Sequence, residues 1–400
     1  KGSNISYLLP GVHTELFWRY LTFGGDFPGI GITLGMRIEV LLIMIGSYIY
    51  FRYKGQDIIK GILSSLAIYT VIFCYSVLPF ILSGIFSLLG LKLELTDAIF
   101  FKTYLLLISF QLILLAWICR RREFVVLVKD IRLMRLSHFL LMFFLGAIIA
   151  VKTEAPILSP EVYLFSLVIV PFSIITGGIY SIIVNNIEDY RIDIISNRDR
   201  PLVNKEISLE SYKGFSWLFL FSAIVLSFSA ELLLGLLVLA CIGNYFLYSA
   251  RPLRLKRIPI ISKTIIAFNS LLLVFAGFAA MSGSLYGFPV SVIAYILIFY
   301  TLAITFIDIK DYEGDKKEGV MTLPVLLGLK RSKLVIGFFM ISAYLAVLMI
   351  IPETILLIPL LAFGLLQSFL INKKNYEESK IFIVYIIGLV LLIISFILLY

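Results

Sequence analysis

Residues 161–193 read EVYLFSLVIVPFSIITGGIYSIIVNNIEDYRID and decide the fold class of this 400-residue chain. Residues 161–186 form an apolar run that is long enough to cross a hydrocarbon core as a helix. The run ends in polar residues, among which Asn185, Asp189 and Asp193 recur every four positions and so share one face of a helix. The stretch therefore predicts a membrane-spanning helix that carries an acidic stripe at its end.

The whole chain has the composition of an integral membrane protein. Hydrophobic residues make up 60% of it and charged residues 15%, and the mean hydropathy is +1.03. The charged fraction of a soluble domain is nearer a quarter. A helix satisfies its own backbone groups in a hydrocarbon core, and no alternating β-barrel pattern is seen. We therefore predict an all-α fold, a polytopic membrane helix bundle.

Apolar runs of suitable length divide the chain into parts. Nine runs predict a C-terminal core and lie near 137–154, 161–186, 212–230, 232–248, 262–282, 288–307, 333–350, 354–371 and 379–400. Three upstream runs lie near 36–52, 61–92 and 99–119. We predict an N-terminal transmembrane module at 1–120, a basic linker at 121–136 and the core domain at 137–400.

The basic residues predict the orientation of the core. The loops around 187–211, 249–261, 308–332 and 372–378 fall on one side of the predicted membrane, and each is rich in lysine and arginine. The opposite loops carry almost none, which is the positive-inside pattern and places the basic loops in the cytoplasm. Attraction to anionic phospholipid explains the net charge of +9, so we predict no nucleic-acid partner.

A second acidic stripe comes directly after the run at 288–307. Asp308, Asp311 and Asp315 lie at i, i+3 and i+7, which is again one helical face, on the same side of the membrane as the first stripe. Neighbouring carboxylates at a low-dielectric boundary repel each other unless a cation joins them. Carboxylate and amide oxygens without cysteine or histidine specify a hard cation, and Mg²⁺ prefers one or two carboxylates plus substrate phosphate oxygens. The two stripes therefore predict a magnesium-dependent diphosphate site.

Basic side chains lie just after the first stripe and just after the run at 232–248. Arginine forks suit phosphate oxygens. Arg200 and Arg251, each immediately before a proline, are the stronger candidates for substrate contact. Lys256 and Arg257 suit an alternative role as topology anchors equally well.

These motifs, in this order, resemble those of the UbiA superfamily of intramembrane prenyltransferases over residues from about 125 to 400. The matching residues are Asn185-x3-Asp189-x3-Asp193 with Asn197-x-x-Arg200-Pro201, Tyr248-Ser249 with Pro252-Leu253-Arg254-Leu255-Lys256, and Asp308-x-x-Asp311-x-Glu313-Gly314-Asp315 with Thr322-Leu323-Pro324.

The resemblance implies a nine-helix bundle that holds Mg²⁺ and a polyprenyl diphosphate between two aspartate-rich motifs. The implied metal ligands are Asn185, Asp189 and Asp193 for one ion and Asp308, Asp311 and Asp315 for a second. The implied catalytic residues are Asp189, Asp193, Asp308 and Asp311. The implied diphosphate-binding residues are Asn185, Arg198, Arg200, Tyr248, Arg251, Arg254 and Lys256.

The chain departs from the family pattern in three places. Asn186 stands where many members have a second aspartate, and Leu136 comes after Arg135 where a proline is common. Neither change removes an implied metal ligand. Residues 1–120 have no counterpart in the ordinary family core, and we assign them no function.

The expected function is Mg²⁺-dependent transfer of a polyprenyl group to an aromatic, quinone-precursor or glycerol-phosphate lipid acceptor. We expect the active site to face the cytoplasm, in the plasma membrane of a prokaryote. One alternative is phosphoribosyl transfer to a polyprenyl phosphate on the same fold. The other is a transporter whose acidic groups carry ions, although the acids lie at helix ends and the halves show no symmetry.

Overall fold

The computed structural model describes residues 15–24, 33–88, 97–153, 155–190, 193–194 and 198–399. Within these ranges every regular element is a helix, which confirms the all-α prediction. Twelve helical segments are long and apolar enough to cross a membrane, and they coincide with the nine predicted core spans and the three upstream runs.

The helices are α1 (Glu15–Leu21), α2 (Leu34–Tyr53), α3 (Ile58–Leu88), α4 (Asp97–Cys119), α5 (Arg121–Asp130), α6 (Leu133–Lys152), α7 (Pro160–Glu188), α8 (Leu209–Ala230), α9 (Leu232–Ser249), α10 (Pro259–Ser282), α11 (Val290–Ala294), α12 (Thr301–Ala303), α13 (Asp308–Glu318), α14 (Leu323–Leu327), α15 (Leu329–Ala346), α16 (Leu357–Asn372) and α17 (Glu378–Leu399).

The chain forms two compact units, residues 1–103 and 104–400, and the division between them falls within α4. The boundary that the sequence suggests, between the module at 1–120 and the basic linker, remains a prediction.

Hydrogen bonds join the first three helices of the N-terminal unit to one another. The Ser65 hydroxyl on α3 donates to the carbonyl oxygen of Met44 on α2 at 2.7 Å. The Tyr69 hydroxyl, also on α3, donates to the carbonyl oxygen of Tyr20 in α1 at 2.6 Å. Helix α3 is therefore the element against which α1 and α2 are placed.

In the C-terminal unit, α6 and α10 cross at two glycines. A Cβ atom added at Gly146 would lie 1.9 Å from the carbonyl oxygen of Val274, and one at Gly277 would lie 1.8 Å from that of Phe143. Only glycine permits this approach of the two backbones, and small residues serve this purpose at helix crossings in membranes. The crossing fixes α10, which carries Lys263 near its polar end.

The span that carries the second acidic stripe, Val290–Lys317, is an irregular helix. A π-helical turn at Tyr295–Tyr300 and a 3₁₀ turn at Ile304–Ile307 separate α11, α12 and α13. Such turns change the helical phase between the apolar part of the span and its acidic end, and π-bulges are frequent at functional sites. From Asp308 onward α13 is regular, so the predicted spacing of the second stripe on one helical face holds.

Candidate active site

The first acidic stripe lies where α7 ends. Asp189 is the C-terminal cap of this helix. Its carboxylate accepts hydrogen bonds from Arg254 Nη2 at 2.6 Å and from Lys256 Nζ at 2.5 Å. Asn185 Oδ1, one turn earlier, accepts from Lys256 Nζ at 3.4 Å and from the Ser249 hydroxyl at 3.1 Å. The segment after α9 thus supplies two cations to the end of α7.

Asp193 belongs to a neighbouring ion-pair group. Its backbone N–H donates to the Asp189 carbonyl at 2.9 Å, which keeps the helical spacing of the stripe at this point. Its carboxylate lies 4.0 Å from Arg200 Nε, and Arg200 Nη1 donates to Asp130 Oδ1 at 3.1 Å. The stripe therefore divides between two sets of cations: Asn185 and Asp189 contact Lys256, whereas Asp193 contacts Arg200.

The second acidic stripe has one neutralised carboxylate and two that are more open. Lys263 Nζ on α10 donates to Asp308 Oδ1, and both side chains are buried. Asp311 is exposed and Asp315 is half-buried. The Tyr376 hydroxyl donates to the Phe306 carbonyl oxygen at 2.7 Å and so fixes the backbone just ahead of Asp308.

Electrostatic contacts connect the two stripes. Lys256, which is bonded to Asp189, also interacts with Asp311. Lys256 is thus the residue through which the two stripes interact, and the joint site remains a prediction.

Burial affects the ionisation of two groups outside the membrane spans. Burial lowers the pKa of the Lys256 ammonium, whereas the charge of Asp189 acts in the opposite direction. Burial also raises the pKa of the Tyr376 hydroxyl, and the nearby Glu378 carboxylate adds to this effect. Tyr376 therefore stays a neutral hydrogen-bond donor at ordinary pH.

Two of the predicted diphosphate-binding arginines lie at the margin of the site. The Arg251 side chain is 61% exposed and lies 3.9 Å from Glu188. Arg198 is exposed, and its Nε donates to the Ile194 carbonyl oxygen at 3.3 Å. Asn197, which belongs to the same predicted motif, lies outside the described residues. Of the predicted arginines, Arg200 and Arg254 are those that contact the acidic stripes.

Sequence reasoning missed two charged residues of the site. Lys263 lies inside the predicted apolar run at 262–282, and an ammonium group within such a run is itself a sign of function. Asp130 lies in the predicted basic linker, where its charge is surrounded by arginines and gives no comparable signal.

The sequence matches the UbiA prenyltransferase family over residues 139–387. A digeranylgeranylglyceryl phosphate synthase of Methanobrevibacter smithii is 28% identical over 200 residues, which are 48% of this chain and 65% of that protein. One from Sulfolobus acidocaldarius is 30% identical, over 54% of this chain and 78% of that protein. The probable homogentisate phytyltransferase 2, chloroplastic, of Oryza sativa subsp. japonica is 27% identical, over 58% of this chain and 67% of that protein.

Solved structures share the fold of the C-terminal unit. A UbiA homologue from Archaeoglobus fulgidus bound to GPP and Mg²⁺ superimposes with a TM-score of 0.54 at 20% identity, over 68% of this chain and 98% of that one. The apo structure of a UbiA homologue from Aeropyrum pernix K1 gives a TM-score of 0.52 at 18% identity, over 66% of this chain and 98% of that one. The sequence-based assignment to this fold is confirmed.

Proposed function

This chain belongs to the UbiA prenyltransferase family, and we propose that it transfers a polyprenyl group from a polyprenyl diphosphate to an acceptor within the membrane. The acceptor is an aromatic, a quinone-precursor or a glycerol-phosphate lipid molecule. The main support for this proposal is the position of Lys256. Its ammonium donates hydrogen bonds to Asn185 and Asp189 of the first stripe and interacts electrostatically with Asp311 of the second. A diphosphate bound to Lys256 would therefore lie near carboxylates of both stripes, where Mg²⁺ could join them to its oxygens.

The donor set fits Mg²⁺, with the substrate completing the coordination. Among the described residues, no group of three or more histidine, cysteine, aspartate or glutamate side chains is placed to hold a metal ion. Mg²⁺ commonly binds through one or two carboxylates together with substrate phosphate oxygens and water, and the exposed Asp311 and half-buried Asp315 carboxylates are donors of this kind. Asn185, Asp189 and Asp193 would hold one Mg²⁺ ion, and Asp308, Asp311 and Asp315 would hold a second. When bound, Mg²⁺ would neutralise charge that develops on the leaving diphosphate.

The basic residues of the site supply the remaining charge complementarity. Arg254, Lys256 and Arg200 lie on the carboxylates of the first stripe, where they are held ready for phosphate oxygens. In the proposed reaction the bond between the prenyl C1 atom and the diphosphate oxygen breaks, and its electron pair leaves with the diphosphate. The acceptor nucleophile bonds to C1 and loses a proton. The exposed Asp311 carboxylate, whose charge interacts with that of Lys256, would accept this proton.

Relatives support the donor, the metal and two classes of acceptor. The Archaeoglobus fulgidus structure contains GPP and Mg²⁺. The named relatives include synthases of a glycerol-phosphate lipid and an enzyme of homogentisate. The alternation of basic loops supports an active site that faces the cytoplasm, and we place the protein in the plasma membrane of a prokaryote.

A product assay tests this function. Purified full-length protein is incubated with Mg²⁺, labelled geranylgeranyl diphosphate and, in parallel, homogentisate or a monoprenyl glycerol phosphate, and the products are identified by mass. We expect a prenylated product with one acceptor and release of diphosphate. Glu377→Gln changes an exposed carboxylate that belongs to none of the motifs and pairs with Lys380, so it is the control and should keep full activity. Absence of product with every acceptor, accompanied by uptake of label into protein-containing vesicles, would favour transport instead.

A further inference from the structure

Asp130, the last residue of α5, is a buried carboxylate that receives three hydrogen bonds from three different segments. Its Oδ2 atom accepts from the Asn186 amide nitrogen and from the Tyr212 hydroxyl, each at 2.7 Å. Its Oδ1 atom accepts from Arg200 Nη1 at 3.1 Å. The Asp130 side chain is only 8% exposed, so these bonds take the place of water.

The network requires an amide at position 186. The side-chain nitrogen of Asn186 donates one hydrogen to Asp130 and the other to the Tyr212 hydroxyl oxygen at 3.0 Å. The Tyr212 hydroxyl then donates its own hydrogen to Asp130. An aspartate at 186 has no hydrogen to donate when ionised, and it would place a second carboxylate against Asp130 in a buried position. Within the set formed by Asp130, Asn186 and Tyr212, the negative charge is therefore on α5 and not on α7.

Arg200 links Asp130 to the first acidic stripe. Its guanidinium lies between Asp130 and Asp193, with Nη1 on the former and Nε at 4.0 Å from the latter. The guanidinium carries five N–H donors, so it can hold Asp130 and still contact phosphate oxygens. Without Asp130, the long Arg200 side chain would lose the contact that restricts its rotamers.

We propose that Asp130 is a positioning residue of the prenyl diphosphate site, which holds Arg200 toward Asp193 and the donor. The proposal rests on the proposed function, because the diphosphate is the ligand for which Arg200 is held. It assigns α5 a part in donor binding, and it explains why asparagine stands at position 186 of this chain.

The test is an exchange of the two side chains. Asp130→Asn removes the charge that holds Arg200, so we expect the KM for geranylgeranyl diphosphate to rise about 10-fold, the effect of losing one charge-assisted hydrogen bond. The KM of the acceptor should stay within about two-fold, since the acceptor does not contact Arg200 in this scheme. Asn186→Asp should raise the donor KM at least as much. The double variant moves the carboxylate by one hydrogen-bond distance and should recover most of the donor affinity.

Two further variants make the result decisive. Tyr212→Phe removes one donor from Asp130 without leaving a charge unpaired, so it should fold and raise the donor KM by about three-fold. Glu123→Gln is the matched control on α5. Among the described residues Glu123 pairs with Arg120, at 3.7 Å, and with no member of the site, so the change should leave both KM values unchanged. Equal rises in donor and acceptor KM, or no recovery in the double variant, would overturn the positioning role.

Direct binding separates this inference from the proposed function. Binding of geranylgeranyl diphosphate with Mg²⁺ to detergent-solubilised wild-type protein is compared with binding to Asp130→Asn. If the wild type binds no prenyl diphosphate, the proposed function fails and the inference fails with it. If both proteins bind equally well, the proposed function stands and the role of Asp130 is refuted.

Discussion

The two acidic stripes differ in the cations that surround them. In the first, Asp189 contacts Arg254 and Lys256, and Asp193 contacts Arg200. In the second, only Asp308 has a cation on it, the buried Lys263. Within the part of the chain that the structure describes, no basic side chain lies within 4.0 Å of the Asp311 or Asp315 carboxylate.

This difference suggests a division of labour within one site. The first stripe is already compensated before any ligand arrives, and its cations are positioned to turn toward an anion. In the second stripe, Asp311 and Asp315 have no cation in direct contact among the described residues, which favours binding of a divalent cation there. We therefore expect the cations around the first stripe to govern the affinity for the diphosphate, and the second stripe to contribute the larger part of the affinity for Mg²⁺.

The largest expected effect is a loss of turnover when an aspartate of either stripe is replaced. The two replacements should differ in their effect on the free energy of unfolding. Asp311→Asn should lower kcat by about 10²–10³-fold, the usual effect of removing one electrostatic stabiliser of a transition state. Because Asp311 is exposed, this substitution should change the free energy of unfolding of the protein by less than about 0.5 kcal/mol. Asp189→Asn should lower both activity and stability, since it deprives Arg254 and Lys256 of a partner. Activity assays and thermal unfolding in detergent measure the two effects, and equal stability losses would contradict the division.

The next effect concerns the one neutralised carboxylate of the second stripe. Lys263→Met leaves Asp308 buried without its cation, and breaking such a pair costs about 3–5 kcal/mol. Lys263→Met combined with Asp308→Leu removes both charges and should recover most of the unfolding free energy. Asp308→Leu alone completes the cycle, and thermal unfolding in detergent measures all three variants. A single variant as stable as the wild type would show that Lys263 does not neutralise Asp308 in the folded protein.

How much of this arrangement can be predicted from sequence depends on the kind of interaction. The spans can be read from apolar runs, because a hydrocarbon core imposes length and composition on each helix separately. The aspartates can be read from their spacing at span ends. The π-helical and 3₁₀ turns ahead of Asp308 cannot, because they depend on how the surrounding helices pack.

The ion-pair partners are also beyond sequence reasoning. Lys263 is 45 positions from Asp308, and Asp130 is 70 positions from Arg200. No local pattern relates residues so far apart, and only the tertiary fold brings them together. For the same reason the sequence ranks Arg251 beside Arg200, whereas in the structure Arg251 is largely exposed and Arg200 contacts Asp130 and Asp193.

A smaller effect is expected on the Mg²⁺ requirement of the enzyme, and it tests directly whether the two stripes have different roles. Asp315→Asn removes a half-buried carboxylate from the uncompensated stripe, so the Mg²⁺ concentration for half-maximal activity should rise about 10-fold. Arg254→Gln should raise the donor KM by a similar factor of about 10 and leave the Mg²⁺ requirement unchanged. Magnesium titrations at saturating donor, and donor titrations at saturating magnesium, distinguish the two. If Arg254→Gln instead shifts the Mg²⁺ requirement, the cations of the first stripe also control the metal, and the proposed division is wrong.

The smallest effect is expected where the structure and the motif disagree most. Arg251 is placed on the diphosphate by the family resemblance, yet its side chain is largely exposed and faces Glu188. Exposed ion pairs contribute little, so Arg251→Gln and Arg198→Gln should each change the donor KM by less than about two-fold. Arg254→Gln, measured beside them, provides the scale. Should Arg251→Gln match it, the segment after α9 must rearrange when the donor binds, because among the described residues Arg251 pairs with Glu188 and not with a member of either stripe. The ion pairs of Asp189 with Arg254 and Lys256 would then belong to the state without ligand. Donor binding would begin as these cations move from the carboxylate to the diphosphate.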